Sequence, residues 1–433
     1  MTNSEFLDKA KEKKITNIQV VEVIQNMGQI ELINKALETF EISDYTSYQI
    51  KAEYNNKTVK VSSDYLDENI LDVLITKATE TDSKYQDEYL QDTSNNNETA
   101  TIPQIEMSKD LEILRKLDDI RKQYKEVSNL TLFYSETYTK KRIFNSNGVN
   151  IETASHTYEF VPEIVVLTKD GANDYDKVYL KTSKDELNME YNLKKDMEMA
   201  IKQATKEKLQ TKKYNVIIDS TVMSYILSNM IKMISADSIR LKVSCLENKL
   251  NQKIFSDKIT IIENPTDKKY PGMTKFDNEG TLTARKEIVK EGVLKTYLYN
   301  IKEAKVQKKK TTGNGYNGIS TKNMYIMPGD KSLEELFKKL KNGIYITDCM
   351  GSMGTAINAN TGTISLQVFG FIIENGQIKC GFVPSIMTTT IYELLTQVED
   401  ISKDVIFDRE STGSPCLLIK GISIVSHDEE WQQ

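Results

Sequence analysis

Histidine is nearly absent from this chain, at 2 residues in 433. His156 sits in a β-rich stretch and His427 in the polar tail. A Ser-His-Asp or Cys-His site needs a positioned imidazole, and a catalytic zinc needs three protein ligands beside an open position. Two isolated histidines supply neither. The four cysteines, Cys245, Cys349, Cys380 and Cys416, form no CxxC pair and read as reduced thiols. Basic charge is not in excess: the net charge of −6 disfavours direct nucleic-acid binding. No apolar run approaches the ~20 residues that span a bilayer, and Met1 to Lys14 lacks the apolar centre of a signal peptide. The expected location is cytoplasmic.

Nucleotide motifs are missing too. No GxxxxGK[ST] occurs, and Gly313-Asn314-Gly315-Tyr316-Asn317-Gly318 matches GxGxxG only as a string. Lysines precede it and a β-like stretch follows, so no helix N-terminus meets a phosphate. Met350-Gly351-Ser352-Met353-Gly354 lacks the first glycine of a nucleophile elbow.

What is present is a strongly uneven distribution of glycine. Sixteen of the 19 glycines lie at or after Gly272, punctuating apolar β-rich runs between Phe276 and Gly381. Length predicts two domains, and the pattern predicts an α+β fold. Residues 1–210 form a mixed α/β N-terminal domain with a polar linker near 84–107, centred on Asn95-Asn96-Asn97. Residues 211–433 form a C-terminal domain rich in antiparallel strands with glycine turns.

In the first part, Ile18 to Ile24 reads as a strand. Tyr48 to Tyr54 and Val59/Val61 form a hairpin about Asn55-Asn56, covered by a helix through Ile70, Leu74 and Ala78. Ser108 caps a second helix, Asn147-Gly148 turns a second hairpin, and Leu193 to Ala204 marks a third helix. The polar run Lys206 to Lys213 marks the boundary. Beyond it come a strand, Tyr214 to Asp219, and a helix that buries Met223, Met230 and Met233 as core. A helix from Ser332 to Lys341 stops at Gly343 in the C′ manner, and Asn375-Gly376 turns a hairpin.

The glycine-punctuated segments resemble the TldD/PmbA family of gyrase modulators and metalloproteases. The resemblance rests on Phe276-Asp277-Asn278-Glu279-Gly280, Gly292-Val293-Leu294, Thr312-Gly313-Asn314, Pro328-Gly329, Thr361 to Ser365, Ile373-Glu374-Asn375-Gly376 and Ser414 to Ile424. Thr363 stands where the family usually carries an acid. TldD-like chains of the family carry a HExxxH helix that holds zinc; PmbA- or TldE-like chains do not. The corresponding helix here places Ser228, Asn229 and Met233 on the motif. The resemblance therefore implies a TldE-like subunit with no catalytic or metal-binding residues and no cofactor of its own. Zinc is expected in a TldD-like partner, and a homodimer where that partner is lacking. Extended or unfolded peptide is the implied substrate. Asp277, Glu279, Gly280, Thr312, Gly313, Asn314 and Ser365 are the expected peptide- or partner-facing residues. In particular, the turn Thr312-Gly313-Asn314 is expected on an inner surface, where Asn314→Ala leaves melting almost unchanged. Two other readings stay open: a stand-alone modulator of gyrase or of a toxin–antitoxin pair, and a hydrolase using Asp277 and Glu279 as its carboxylates.

Overall fold

The computed structural model describes residues 1–81, 89, 101–169, 171–350 and 356–426. Asn95-Asn96-Asn97, most of the expected linker, Gly351 to Gly354 and His427 lie outside the described residues.

The N-terminal part is built on one antiparallel sheet, ordered Lys57–Ser63, Ala36–Tyr54, Asn17–Ile33, Val127–Asn145, Asn150–Thr168 and Gly171–Asp176. Its four central strands run 17 or 19 residues, roughly 60 Å at ~3.3 Å per residue. Such length lets one sheet serve two cores. At one end Ile18, Val20, Ile50, Ala52 and Phe144 pack under helices Asn3–Glu12 and Glu68–Glu80. At the other, Ile30, Leu32, Leu132, Tyr134 and Phe160 pack with helices Ser108–Asp118 and Met189–Ala204. Between the cores, Glu22 to Met27 stays paired in register while its side chains are mostly half-buried. This explains why only the apolar ends read as strand in the sequence.

The second part contains a sheet that closes on itself. Gly343–Met350 pairs in parallel with Lys212–Ile218, which pairs with Leu417–Ser426, then Ser385–Thr390, then Thr363–Glu374, and back to Gly343–Met350. Closure removes strand edges, so each strand of this ring is paired on both sides. Val216 and Ile218 point to a core shared with Val222, Met223, Leu227, Met230 and Met233 of helix Ser220–Ile234. Ile217 points the other way, into the core that holds Met197 and Phe160. With both faces buried, the strand is a continuous apolar run. A smaller sheet is centred on Ile261–Glu263, flanked by Lys286–Lys290 and Met324–Ile326.

Two turns explain themselves. Asn375 and Gly376 have φ of +53° and +75°, as a type I′ hairpin requires. Helix Leu333–Leu340 does not stop on Gly343: Lys341 itself takes φ +60°. Gly343 instead opens the next strand, where a Cβ would sit 2.4 Å from the Asn215 carbonyl oxygen.

Candidate functional site

Helix Ser220–Ile234 begins at Asp219, whose Oδ1 accepts the Thr221 amide at 3.1 Å. Its partly exposed face carries Tyr225, Ser228, Asn229 and Lys232. Ser228 Oγ and Asn229 Nδ2 both donate to the Tyr225 carbonyl, at 2.7 and 2.9 Å. They turn back on their own helix, as short polar side chains do. Met233 is wholly buried in the core. The nearby acid Asp408 is already held by Ser224 Oγ at 2.7 Å and by Arg409 at 2.7 Å. Arg409 also faces Cys349, whose thiol burial pushes up to about 12. Hydroxyl, amide and thioether, the groups at the three motif positions, are poor ligands for a hydrolytic zinc. Among the described residues, no three His, Cys, Asp or Glu side chains converge to hold a metal.

The second cluster gathers Asp277, Glu279, Gly280, Thr312, Gly313 and Asn314, while Ser365 lies apart, exposed on ring strand Thr363–Glu374 opposite Thr388. Asp277 has no exposed surface. Its Oδ1 accepts the amides of Glu279 (3.0 Å) and Thr281 (2.8 Å), and its Oδ2 that of Gly315 (2.8 Å). Burial pushes its carboxyl up, and the Gly315 and Thr281 amides pull it back. Glu279 spends Oε2 on the Ile301 amide at 2.7 Å. Both carboxylates thus organise backbone, Asp277 wholly inside and Glu279 half-buried beside an open groove.

Asn314 is also wholly buried, not on a surface. Its Nδ2 donates to both oxygens of Glu263 at 2.9 Å and to the Ser320 carbonyl at 2.8 Å; its Oδ1 accepts Thr312 Oγ1 at 2.7 Å. Glu263 is completed by Lys286 Nζ at 2.6 Å and the Lys322 amide at 2.9 Å. A buried charge is tolerable only when paired and saturated in this way. Gly313 has φ +71°, and a Cβ there would meet the Leu282 carbonyl oxygen at 2.9 Å. Gly280, also buried, has φ +89°.

This cluster is the joint between the two parts of the chain. Phe276 is buried among Val21, Ile143, Val149 and Ile151 of the N-terminal sheet. Gln19 Nε2 donates to the Glu279 carbonyl at 2.8 Å, and Lys141 Nζ to the Phe276 carbonyl at 3.2 Å. Sequence reasoning missed Glu263 and Lys141, since nothing in their local spacing marks them as inward-facing.

Family models described as the central and C-terminal domains of PmbA/TldA metallopeptidases match residues 100–206 and 211–426. These matches set the class, a metalloprotease-like framework. The chain belongs to the PmbA/TldD family. A "Metalloprotease PmbA homolog" of Buchnera aphidicola is 31% identical over 283 residues, which span 61% of this chain and 62% of that relative. Two solved structures share the fold. A candidate modulator of DNA gyrase from Thermotoga maritima has a TM-score of 0.88 at 24% identity, covering 98% of this chain and 100% of that one. TldE from Thermococcus kodakarensis has a TM-score of 0.84 at 16% identity, covering 98% and 99%. At these identities the likeness is one of fold alone.

Proposed function

We propose that this chain is the non-catalytic, TldE-like subunit of a cytoplasmic two-subunit peptidase that handles extended or unfolded peptides. Zinc and the general base belong to a TldD-like partner with a HExxxH helix. The observation that carries this reading is the donor set at the motif positions: Ser228 and Asn229 bonded to their own helix, and Met233 in the core. Against a hydrolase acting alone stands the engagement of Asp277 and Glu279 with backbone amides. No feature of the site favours a gyrase or toxin–antitoxin role.

A surface for the partner is available on the N-terminal sheet. Lys57–Ser63 covers only Tyr48 to Tyr54 of its neighbour, so among the described residues the stretch 36–47 is an open edge. Leu37, Phe40, Ile42 and Tyr45 on it are 42–55% exposed, and an exposed apolar edge favours strand addition. Glu38, Glu41 and Asp44 lie on the same stretch with no Lys or Arg between. A strand from another chain carrying basic residues complements it. The test is peptide hydrolysis by this chain alone, by a HExxxH subunit alone and by the two together. The proposal expects full turnover only in the mixture. Equal turnover by this chain alone would overturn it.

A further inference from the structure

Helices Ala236–Arg240 and Ile301–Val306 lie side by side and antiparallel. Arg240 forks onto Glu303 at 2.8 and 2.9 Å, and Gln307 Nε2 donates to the Ala236 carbonyl at 2.8 Å. The second helix buries Ile301, Glu303 and Ala304, which leaves Lys302, Lys305 and Val306 on its outer face. Lys308, Lys309 and Lys310 continue that face, all exposed. At the C-terminal end of the first helix stand Leu241, Lys242 and Val243, exposed as well. The acids of the two helices are Asp237, half-buried, and Glu303, spent on Arg240. The face is therefore basic, in a chain whose net charge is −6. Among the lysines, Leu241, Val243 and Val306 are 59%, 41% and 55% exposed.

A helix C-terminus attracts a cation, which accounts for Lys308 but not for lysines along the whole face. Ion pairing does not account for them either: among the described residues no carboxylate pairs with Lys242, Lys305, Lys308, Lys309 or Lys310. Protein interfaces are depleted in lysine and built around Tyr, Trp and Arg. This face offers none of these, since Arg240 is engaged. Lysines interleaved with apolar tips match an anionic bilayer instead. The ammonium groups meet lipid headgroups, while the tips and the lysine stems enter the boundary beneath them. We propose that this face docks on the surface of a bilayer that contains anionic lipid. Its lysines reach the cluster size of about four to eight that such headgroups attract. The contact is peripheral: among the described residues no helix is long and apolar enough to cross a membrane. The inference goes beyond the subunit assignment and stands without it.

The full chain is sedimented with vesicles of phosphatidylcholine alone and of equal parts phosphatidylcholine and phosphatidylglycerol. It should bind the anionic vesicles only, and lose that binding as salt is raised. Lys305→Glu with Lys309→Glu should weaken binding at least about tenfold at unchanged melting temperature. Leu241→Ser with Val306→Ser should weaken it roughly threefold. Lys11→Glu with Lys14→Glu makes the same charge change on exposed residues of the N-terminal part. That pair should leave binding within about twofold. Equal binding to both vesicles, no binding to the anionic ones, or an equal loss from the N-terminal pair would overturn the proposal. Full binding by either variant of the face would do the same. Release by sodium polyglutamate at a charge concentration matching the lipid would also overturn it, and would reassign the face to an acidic protein.

Discussion

Replacing Asn314 by alanine should be among the more damaging substitutions in the C-terminal part of the chain. The change deletes the donor shared by both Glu263 oxygens, the donor to Ser320 and the acceptor for Thr312 Oγ1, all buried. A hydrogen bond to a charged group contributes about 1.5–3 kcal/mol, and a neutral one about 0.5–1.5 kcal/mol. Glu263 keeps Lys286 and the Lys322 amide, so its charge remains partly compensated. Together the losses come to roughly 4 kcal/mol. For a unit of this size 1 kcal/mol moves the melting temperature by about 2–4 °C, which predicts a fall of roughly 8–16 °C by calorimetry. Asn314→Asp should be worse at neutral pH, because it sets a second carboxylate against Glu263, and should recover in part on acidification. A melting temperature for Asn314→Ala within about 2 °C of the parent would refute the reasoning. It would return the turn to the surface role its sequence suggests.

Asp196 gives a pH test. It is buried, its carboxyl is pushed up to about 6 chiefly by burial, and Tyr179 donates to it at 2.8 and 3.0 Å. The folded pKa lies above the ~3.9 of an unfolded aspartate. The folded state therefore binds the proton more tightly, and stability falls as pH rises from ~4 to ~6, by up to roughly 3 kcal/mol. Asp196→Asn, which still accepts from Tyr179, should remove that fall in denaturant titrations at pH 4 and pH 7. At the open edge, Phe40→Lys with Ile42→Lys should abolish co-purification with the HExxxH subunit. The stability change should stay within about 0.5 kcal/mol for each exposed site. Retained association would place the interface elsewhere.

Much of the local structure was legible because its signals are local. The Asn147-Gly148 and Asn375-Gly376 hairpins follow from turn chemistry, and the methionine stripe of helix Ser220–Ile234 from its period: Met223, Met230 and Met233 are all fully buried. The closed ring was not legible. It joins Gly343–Met350 to Lys212–Ile218 across more than a hundred residues, and no local pattern reports such pairing. The polar cluster misled for another reason. Asp277 and Asn314 sit on turns, where polar side chains usually meet water, yet here each turn is folded against the other sheet and the side chains serve buried amides and Glu263.

Zinc stoichiometry is the most direct test of the non-catalytic assignment. The chain, purified without an affinity tag and dialysed against a weak chelator, is assayed for metal beside its HExxxH partner treated the same way. The assignment predicts well under about 0.1 zinc per chain here and about one in the partner. About one tightly held zinc in this chain would contradict it.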